Sequence, residues 1–163
     1  MQPKSIKPRV NVHVGYEWAG PGSARDDTHW TQLRDLIKRS SPTSVDVRPL
    51  RIRGTQGQDL LTTIRRRVAH ADILVFDITS VKNGSFNFNV VLEVGMAIGC
   101  SHFRKNRVFI LAGPGVKPGS DLAGILYLKY SLRGDRLVFV DEDGFNHGLA
   151  AAIRACAKDK RPA

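Results

Sequence analysis

Acidic residues and cysteines are both scarce in this chain. Asp and Glu number 15 against 25 Lys and Arg, for a formal net charge of +10, and the two cysteines are Cys100 and Cys156. Two cysteines provide no disulfide framework, and both are interpreted as core thiols of helical segments. No apolar run reaches the roughly 18 residues of a membrane span, and the start lacks the apolar region of a signal peptide. We therefore expect a soluble, cytoplasmic protein with no membrane partner.

Metal-binding and hydrolase motifs are missing as well. The five histidines share no HxxxH or CxxC pattern, and the Gly/Pro-rich turns match neither GxGxxG nor GxxxxGK[ST]. No Ser/His/Asp or Cys/His triad can be assembled, which argues against zinc and serine-hydrolase chemistry. We expect no metal and no resident cofactor, although NAD is a candidate substrate.

The excess positive charge is spread along the chain, and Arg65, Arg66 and Arg67 form its only run of three cations. A basic surface attracts phosphate regardless of sequence. No basic helix interleaved with aromatic residues and no nucleic-acid-binding signature occurs. We interpret the charge as a solvated surface that favours small anionic ligands such as nucleotides, with nucleic-acid binding as an unsupported alternative.

Apolar β-forming segments alternate with helical patterns, which is typical of βαβ units. The predicted strands are 10–14, 45–52, 73–77, 108–111 and 137–140, with 126–130 as a candidate short edge strand. The predicted helices are 29–39, 58–70, 89–100 and 145–157. We predict a single flavodoxin-like, three-layer α/β domain over residues 1–163, with a central, mostly parallel five-stranded sheet. Residues 1–8 and 158–163 are expected to be flexible tails.

Three long connections, residues 15–27, 78–88 and 112–122, each follow a predicted strand. The carboxyl ends of parallel strands lie at one edge of the sheet, where open α/β folds bind their ligands. We therefore expect these connections to build the functional site.

Glu93 is the single formally charged side chain between Lys82 and Arg104. An unpartnered carboxylate in so apolar a segment costs several kcal/mol, so it requires either a satisfying network or a chemical task. We expect Asn89 to cap the helix, which places Glu93 about one turn in. There the helix dipole favours the carboxylate and apolar packing disfavours it. The alternative is a structural glutamate satisfied by backbone donors of a loop.

The same helix is apolar all round, which predicts that it is buried. Its glycines, Gly95 and Gly99, stand four residues apart and would give it a smooth face able to lie against the sheet or another helix.

Asp77 ends the third predicted strand, so we expect its side chain at the same edge, within reach of the start of the Glu93 helix. Two carboxylates that face one cavity can divide into nucleophile and acid/base or hydroxyl-binding roles. The alternative for Asp77 is an Asx turn with Thr79 or Ser80.

Gly15, Tyr16 and Trp18 follow the first predicted strand and place a phenol and an indole over this edge. Such groups stack on a base or hydrogen-bond to a catalytic carboxylate. The alternative is a loop that folds on its own aromatic side chains.

Residues 71–79 and 87–97, with the element Asn89-Val-x-x-Glu93-x-Gly95, resemble a signature shared by two families. These are the nucleoside 2-deoxyribosyltransferase-like proteins and the bacterial TIR-like nucleotide-binding domains. Residues 120–127 resemble a later segment of the TIR-like branch. The resemblance covers about a third of the chain.

The resemblance implies an enzyme that cleaves an N-glycosidic bond of NAD or a related nucleotide or nucleoside, with Glu93 as nucleophile or oxocarbenium stabiliser. It also implies roles for Asp77 and for Tyr16, which would orient Glu93. These families often complete their sites across subunits, which predicts a homo-oligomer. The alternative is a non-catalytic nucleotide-binding or TIR-type interaction module.

The expected substrate contacts follow from the same resemblance. Asp77 or Asn87 would hold ribose hydroxyls, and Trp18 or Phe86 would face the base. The remaining residues predicted to line the binding site are Gly15, Thr79 and Asn89. Residues 83–89 replace the acidic loop usual in deoxyribosyltransferases, which favours the TIR-like branch.

Overall fold

The computed structural model describes residues 7–17, 24–51, 60–80, 85–99, 107–117 and 124–160. The strands are β1 Arg9–Gly15, β2 Asp46–Arg51, β3 Ile73–Asp77, β4 Val108–Ala112, β5 Leu126–Arg133 and β6 Arg136–Val140. The helices are α1 Ala24–Arg39, α2 Leu60–His70, α3 Phe88–Gly99 and α4 Glu142–Asp159.

The strands form one sheet in the order β2-β1-β3-β4-β5-β6. The first five are parallel, and β6 pairs antiparallel with β5. The order 2-1-3-4-5 is that of flavodoxin-like folds, so the predicted fold class is confirmed, with six strands in the described sheet where five were predicted. The candidate edge strand at 126–130 is in fact an inner strand, because β6 folds back on it through a short turn and occupies the edge.

The sheet has a helical layer on each face. Every residue of β3 and of β4 is buried, as expected for parallel strands covered on both faces. Alternate residues of β3 enter different cores: Ile73 and Val75 join the cluster that includes α1 and α4, whereas Leu74 and Phe76 join the cluster with α2 and α3. The face to which a residue of β3 belongs therefore decides which helices it can meet.

The predicted helices lie where expected, with differences at their ends. α1 begins at Ala24 and α4 at Glu142, both earlier than predicted, because their first turns are polar and carry no apolar periodicity. Acidic residues in the first turn of α4 suit the helix dipole. Residues 52, 58 and 59 and Cys100 lie outside the described residues, and Cys156 is buried as predicted.

Both ends of the described chain make polar contacts. Lys7 Nζ donates to the carbonyl of Thr43 at 2.8 Å, and Lys160 Nζ donates to the carbonyl of Arg9 at 3.0 Å. Of the residues predicted to form flexible tails, 1–6 and 161–163 lie outside the described residues, and 158 and 159 belong to α4. No helix in the described ranges is long and apolar enough to cross a membrane.

α3 is buried on one face rather than all round, which corrects the sequence prediction. Val90, Val94 and Ala97 pack into the core, whereas Phe88 is 81% and Leu92 54% exposed. A Cβ built on Gly95 or on Gly99 meets nothing within 4 Å, so these glycines do not lie against the sheet or another described helix. A helix on the outer layer of a three-layer domain has only one side to bury, whatever its composition.

Candidate functional site

Glu93 lies over the carboxyl ends of β1 and β3, where Gly15 is the register partner of Phe76. A Cβ built on Gly15 would stand 2.7 Å from Glu93 Oε2 and 2.6 Å from Phe76 Cδ1. Glycine is thus the residue that allows this close approach of the carboxylate to the backbone. In the order 2-1-3-4-5, the crevice between β1 and β3 is the topological switch point at which such folds bind ligands.

The Glu93 carboxylate is poorly satisfied. Its Oε2 atom is buried and has no hydrogen-bond partner among the described residues. Burial raises the pKa of Glu93 from its ordinary value of 4.5 to about 7. The alternative of a structural glutamate requires backbone donors of a loop, and the described residues provide none to Oε2. This oxygen therefore suits a cationic or hydrogen-bond-donating ligand.

The start of α3 is held to β3 by backbone hydrogen bonds. The N–H of Asn87 donates to the carbonyl of Ile78 at 2.8 Å, and that of Ser80 donates to the carbonyl of Ser85 at 2.7 Å. Thr79 and Phe86 form an isolated antiparallel bridge between these two bonds. Glu93 is therefore carried by a helix whose first residues are fixed to the end of β3.

Asn87, not the predicted Asn89, caps α3. Its Oδ1 accepts hydrogen bonds from the N–H groups of Asn89 at 3.1 Å and Val90 at 3.2 Å. The helix begins at Phe88, so Glu93 is its sixth residue and lies beyond the first turn. Asn89 is exposed and precedes Glu93 by four residues, which places the two on one side of the helix.

Asp77 lies on the other face of the sheet from Glu93. Its Oδ2 bonds to His29 Nε2 and accepts from the Tyr130 hydroxyl, both at 2.9 Å, and its Oδ1 accepts from the N–H of Thr79 at 3.1 Å. Asp77 alternates with Phe76 along β3 and is 1% exposed. The contact with Thr79 is the Asx turn that the sequence offered as the alternative, and the other two contacts join β3 to α1 and β5.

Tyr16 belongs to this second face too. Its ring stacks on His29 at 5.3 Å and on Trp30 at 6.5 Å between centroids. The structure therefore brings Tyr16 and Asp77 together around His29, and it does not bring either beside Glu93.

Thr79, another predicted site residue, joins β3 to the residue after β4. Its Oγ1 accepts a hydrogen bond from the N–H of Gly113 at 2.6 Å.

A second carboxylate, that of Glu17, follows the end of β1. Ser80 Oγ donates to Glu17 Oε2 at 3.1 Å. Glu17 is half-buried and follows Gly15 by two residues, and Ser80 lies three residues past the end of β3. The candidate site in the described residues is built on the close approach of Glu93, Gly15 and Phe76.

Some residues of this edge escaped the sequence prediction. His29 and Tyr130 stand 48 and 53 residues from Asp77, so no local spacing could pair them with it. The sequence offers Ser80 only as a turn partner of Asp77. Phe86 is 36% exposed at the end of the β3–α3 connection, and Trp18 lies outside the described residues.

One cavity of about 560 Å³ opens between α1 and β6, away from Glu93. Its lining includes Gln32, Arg39, Arg136 and Phe139 and none of the predicted site residues. Within the described ranges no group of three His, Cys, Asp or Glu side chains is arranged to hold a metal ion.

A family model described as "CAP12/Pycsar effector protein, TIR domain" matches residues 22–132. The matched segment contains Asp77 and Glu93, whereas Gly15 and Glu17 precede it. A comparison with curated proteins finds no match.

Solved structures with a similar arrangement are distant in sequence. The Flv1 flavodiiron core from Synechocystis sp. PCC6803 has 13% identity and a TM-score of 0.48, and the match covers 93% of this chain and 37% of that one. Lysine decarboxylase LdcF from Francisella novicida has 11% identity and a TM-score of 0.47, with coverage of 93% and 18%. This chain thus spans well under half the length of these two proteins.

A third similar structure is the diflavin flavoprotein A3 from Nostoc sp. It has 9% identity and a TM-score of 0.44, and the match covers 95% of this chain and 97% of that one. All three scores are below 0.5, so the fold assignment here stands on the strand order.

Proposed function

This chain belongs to the CAP12/Pycsar effector TIR-domain family, and on that premise we propose that it cleaves an N-glycosidic bond of NAD or a related nucleotide at Glu93. The family match supports the TIR-like branch of the sequence resemblance. The deoxyribosyltransferase branch gains no support from the family match.

The observation that carries this proposal is the unsatisfied carboxylate of Glu93. Its Oε2 is buried without a hydrogen-bond partner among the described residues, directly over Gly15 at the β1/β3 switch point. A preorganised charge in a partly desolvated crevice stabilises a developing cation far better than a charge in water does. Glu93 thus has the properties expected of an oxocarbenium stabiliser.

The reaction balances with water as the second substrate. The bond between C1′ of the ribose and the pyridinium nitrogen of NAD breaks, and both electrons go to that nitrogen, so nicotinamide leaves as a neutral base. C1′ becomes oxocarbenium-like, and the Glu93 carboxylate stabilises it or captures it covalently. Water then bonds to C1′ and releases a proton.

The chemistry of the leaving group favours NAD over a deoxynucleoside. Nicotinamide departs from a pyridinium without being protonated, so one carboxylate suffices, whereas an uncharged nucleoside base requires a proton donor. The cationic ring would also lower the raised pKa of Glu93 on binding, because a nearby positive charge favours the ionised carboxylate.

Incubation of the chain with NAD and, separately, with deoxynucleosides tests this proposal. We expect chromatography to show nicotinamide and an ADP-ribose product from NAD, with at least a hundredfold loss in Glu93→Gln, about 3 kcal/mol of transition-state stabilisation. Base release that Glu93→Gln leaves unchanged would sink the role of Glu93. Binding of NAD without turnover would support the non-catalytic module instead.

We also propose that a second copy of the chain covers the exposed face of α3. Phe88 and Leu92 are exposed on it, and the open positions at Gly95 and Gly99 would let another helix approach closely. Sedimentation analysis should show an oligomer that Leu92→Lys dissociates and that Leu132→Lys, at another exposed leucine, leaves intact. A monomer at all concentrations would contradict it.

A further inference from the structure

We propose that one face of β5 and β6 binds single-stranded nucleic acid. This face lies on the side of the sheet that carries α2 and α3. There α2 packs on β1 and α3 packs on β3 and β4, whereas β5 and β6 are the last two strands of the sheet. The β5–β6 face consists of Tyr127, Lys129, Ser131 and Arg133 of β5 and Arg136, Val138 and Val140 of β6.

The strand register assigns these side chains to one side of the sheet. Tyr127 is the register partner of Ile110, which belongs to the core cluster with α2 and α3. Lys129 is the partner of Ala112 in the same cluster, whereas Leu128 between them belongs to the cluster with α1 and α4. The odd-numbered residues of β5 therefore share this side and are exposed on it. No single segment of the sequence shows the surface, because its residues alternate along two strands.

The β5–β6 face carries three cations and no acid. Lys129, Arg133 and Arg136 are exposed, and none of them makes an ion pair with a described acidic residue. The nearest acids along the chain, Asp135 and Asp141, lie outside β6 on either side of it. Arg133 and Arg136 are register partners, directly opposite each other. Like charges in this arrangement destabilise a strand pair, so a bound anion would relieve their repulsion.

The turn between the two arginines is fixed to α1 by Gln32. Its Oε1 accepts a hydrogen bond from the N–H of Leu137 at 2.6 Å, and its Nε2 donates to the carbonyl of Asp135 at 3.0 Å. Gly134 lies in this turn with a φ of 59°, a conformation that glycine adopts without strain. Because the backbone is held in place, less conformational freedom is lost when an anion binds the arginines.

Tyr127 adds an aromatic surface beside these cations. It is 46% exposed, whereas the other two tyrosines, Tyr16 and Tyr130, are buried. Lys129 Nζ lies 5.8 Å from the centroid of the Tyr127 ring. Proteins that bind single strands combine a cationic track for the phosphates with aromatic side chains on which bases stack. An acidic protein offers no base to Tyr127, and the bases of a duplex are already stacked on one another. The combination therefore favours a single strand.

Fluorescence anisotropy with a labelled oligothymidine of about 20 nucleotides tests the proposal. We expect Arg133→Ala/Arg136→Ala to weaken binding at least about tenfold in 0.1 M salt. The slope of log K against log salt should fall by about 1.4, since each phosphate contact on a single strand contributes about 0.7. No binding by the wild type, or equal binding by this double variant, would overturn the proposal.

Tyr127→Ala tests the stacking contact. It should weaken binding about 5- to 100-fold and leave the salt slope unchanged, because it removes no charge. Tyr127→Phe retains the ring and should bind like the wild type. If Tyr127→Ala binds as well as Tyr127→Phe, no base stacks on the ring and the proposal fails.

Arg154→Ala/Lys158→Ala is the matched control for the two arginines. Both residues are exposed on α4, which covers the other side of the sheet, and their removal lowers the net charge by the same amount. We expect the affinity to stay within about threefold of the wild type, since charges more than about 10 Å apart are largely screened in 0.1 M salt. A loss as large as that of Arg133→Ala/Arg136→Ala would show that binding follows net charge alone and would overturn the proposal.

Unlabelled competitors identify the class of partner. Single-stranded DNA should displace the labelled strand at least about tenfold better than duplex DNA or polyglutamate does. Equal displacement by the duplex or by polyglutamate would overturn the proposal in favour of a duplex or an acidic protein. None of these measurements requires cleavage of NAD, so this inference and the proposed function can fail independently.

Discussion

The Oε2 atom of Glu93 lies so close to the Cα of Gly15 that a Cβ at position 15 would stand 2.7 Å away from it. Such separations are far below ordinary van der Waals contact, so one of the two groups would have to move. Gly15, which has no side chain, therefore allows the Glu93 carboxylate to reach the end of β1. This close approach joins α3, which carries the candidate catalytic residue, to β1, the first strand of the chain.

Gly15→Ala tests this relationship. The new methyl group would also meet Phe76 Cδ1 at 2.6 Å, and the Phe76 ring is fully buried. Because a packed ring cannot easily shift, we expect the free energy of unfolding to fall by about 1–3 kcal/mol. Base release should fall by at least about tenfold in folded protein, since Glu93 is displaced. Denaturant unfolding and turnover measure the two effects.

Gly144→Ala is the matched control for Gly15→Ala. Gly144 is exposed in α4, and a Cβ built on it meets nothing within 4 Å. Removing a glycine from a helix stabilises it by up to about 1 kcal/mol. A Gly15→Ala variant as stable and active as Gly144→Ala would show that position 15 has room for a side chain.

The stability of the chain should depend on the pH through Glu93. Its pKa is about 7 in the folded protein and 4.5 when exposed, so between these values the folded state binds more protons and stability falls as pH rises. Glu93→Gln removes this loss. We expect the unfolding free energy of Glu93→Gln, relative to that of the wild type, to increase from pH 4.5 to pH 8 by up to roughly 3 kcal/mol. A pH-independent difference in unfolding free energy would contradict it.

Turnover should have the opposite pH dependence. If ionised Glu93 stabilises the transition state, kcat/KM for NAD rises tenfold per pH unit below about 7 and levels off above it. The inflection of kcat should lie at lower pH, because the bound pyridinium favours the carboxylate form. Initial rates between pH 5 and 9 measure both curves, and a flat kcat/KM profile would argue against a buried, ionised Glu93.

Asp77→Asn distinguishes a structural from a catalytic role for this residue. The amide retains the shape but cannot serve His29 and Tyr130 as the carboxylate does. We expect the free energy of unfolding to fall by about 1–3 kcal/mol. Turnover per folded molecule should stay within about threefold of the wild type, because Asp77 lies on the other face from Glu93. A loss of a hundredfold or more would restore Asp77 to the catalytic site.

Asn87→Ala tests the cap of α3. Asn87 Oδ1 accepts two backbone hydrogen bonds, so its loss should cost about 1 kcal/mol of stability. Asn89→Ala, two residues along on an exposed position, should cost less, since alanine is the better helix former. Thermal unfolding of the two variants compares them, and a larger loss in Asn89→Ala would reinstate the cap predicted from the sequence.

Much of the fold could be predicted from the sequence because buried parallel strands consist of short runs of apolar residues. The sequence predicts the bounds of β3 without error and the other described ends within three residues, except that α1 begins five residues before its predicted start. The first turns of α1 and α4 were missed because polar, exposed turns carry no periodic signal. β5 was assigned to an edge because nothing local in residues 126–130 indicates that a later strand folds back on them.

The sequence by itself determined that Glu93 is a lone charge in an apolar helix that follows a buried strand, and so where the site had to be sought. Only the tertiary structure decided which residues share its face. Residues 73–76 of β3 are all apolar because the strand is buried on both faces, so no polar–apolar alternation in the sequence shows that Phe76 and Asp77 take opposite faces. Alternation along β3 places Asp77 with Tyr16 at His29 on one face, and Phe76 with Glu93 on the other.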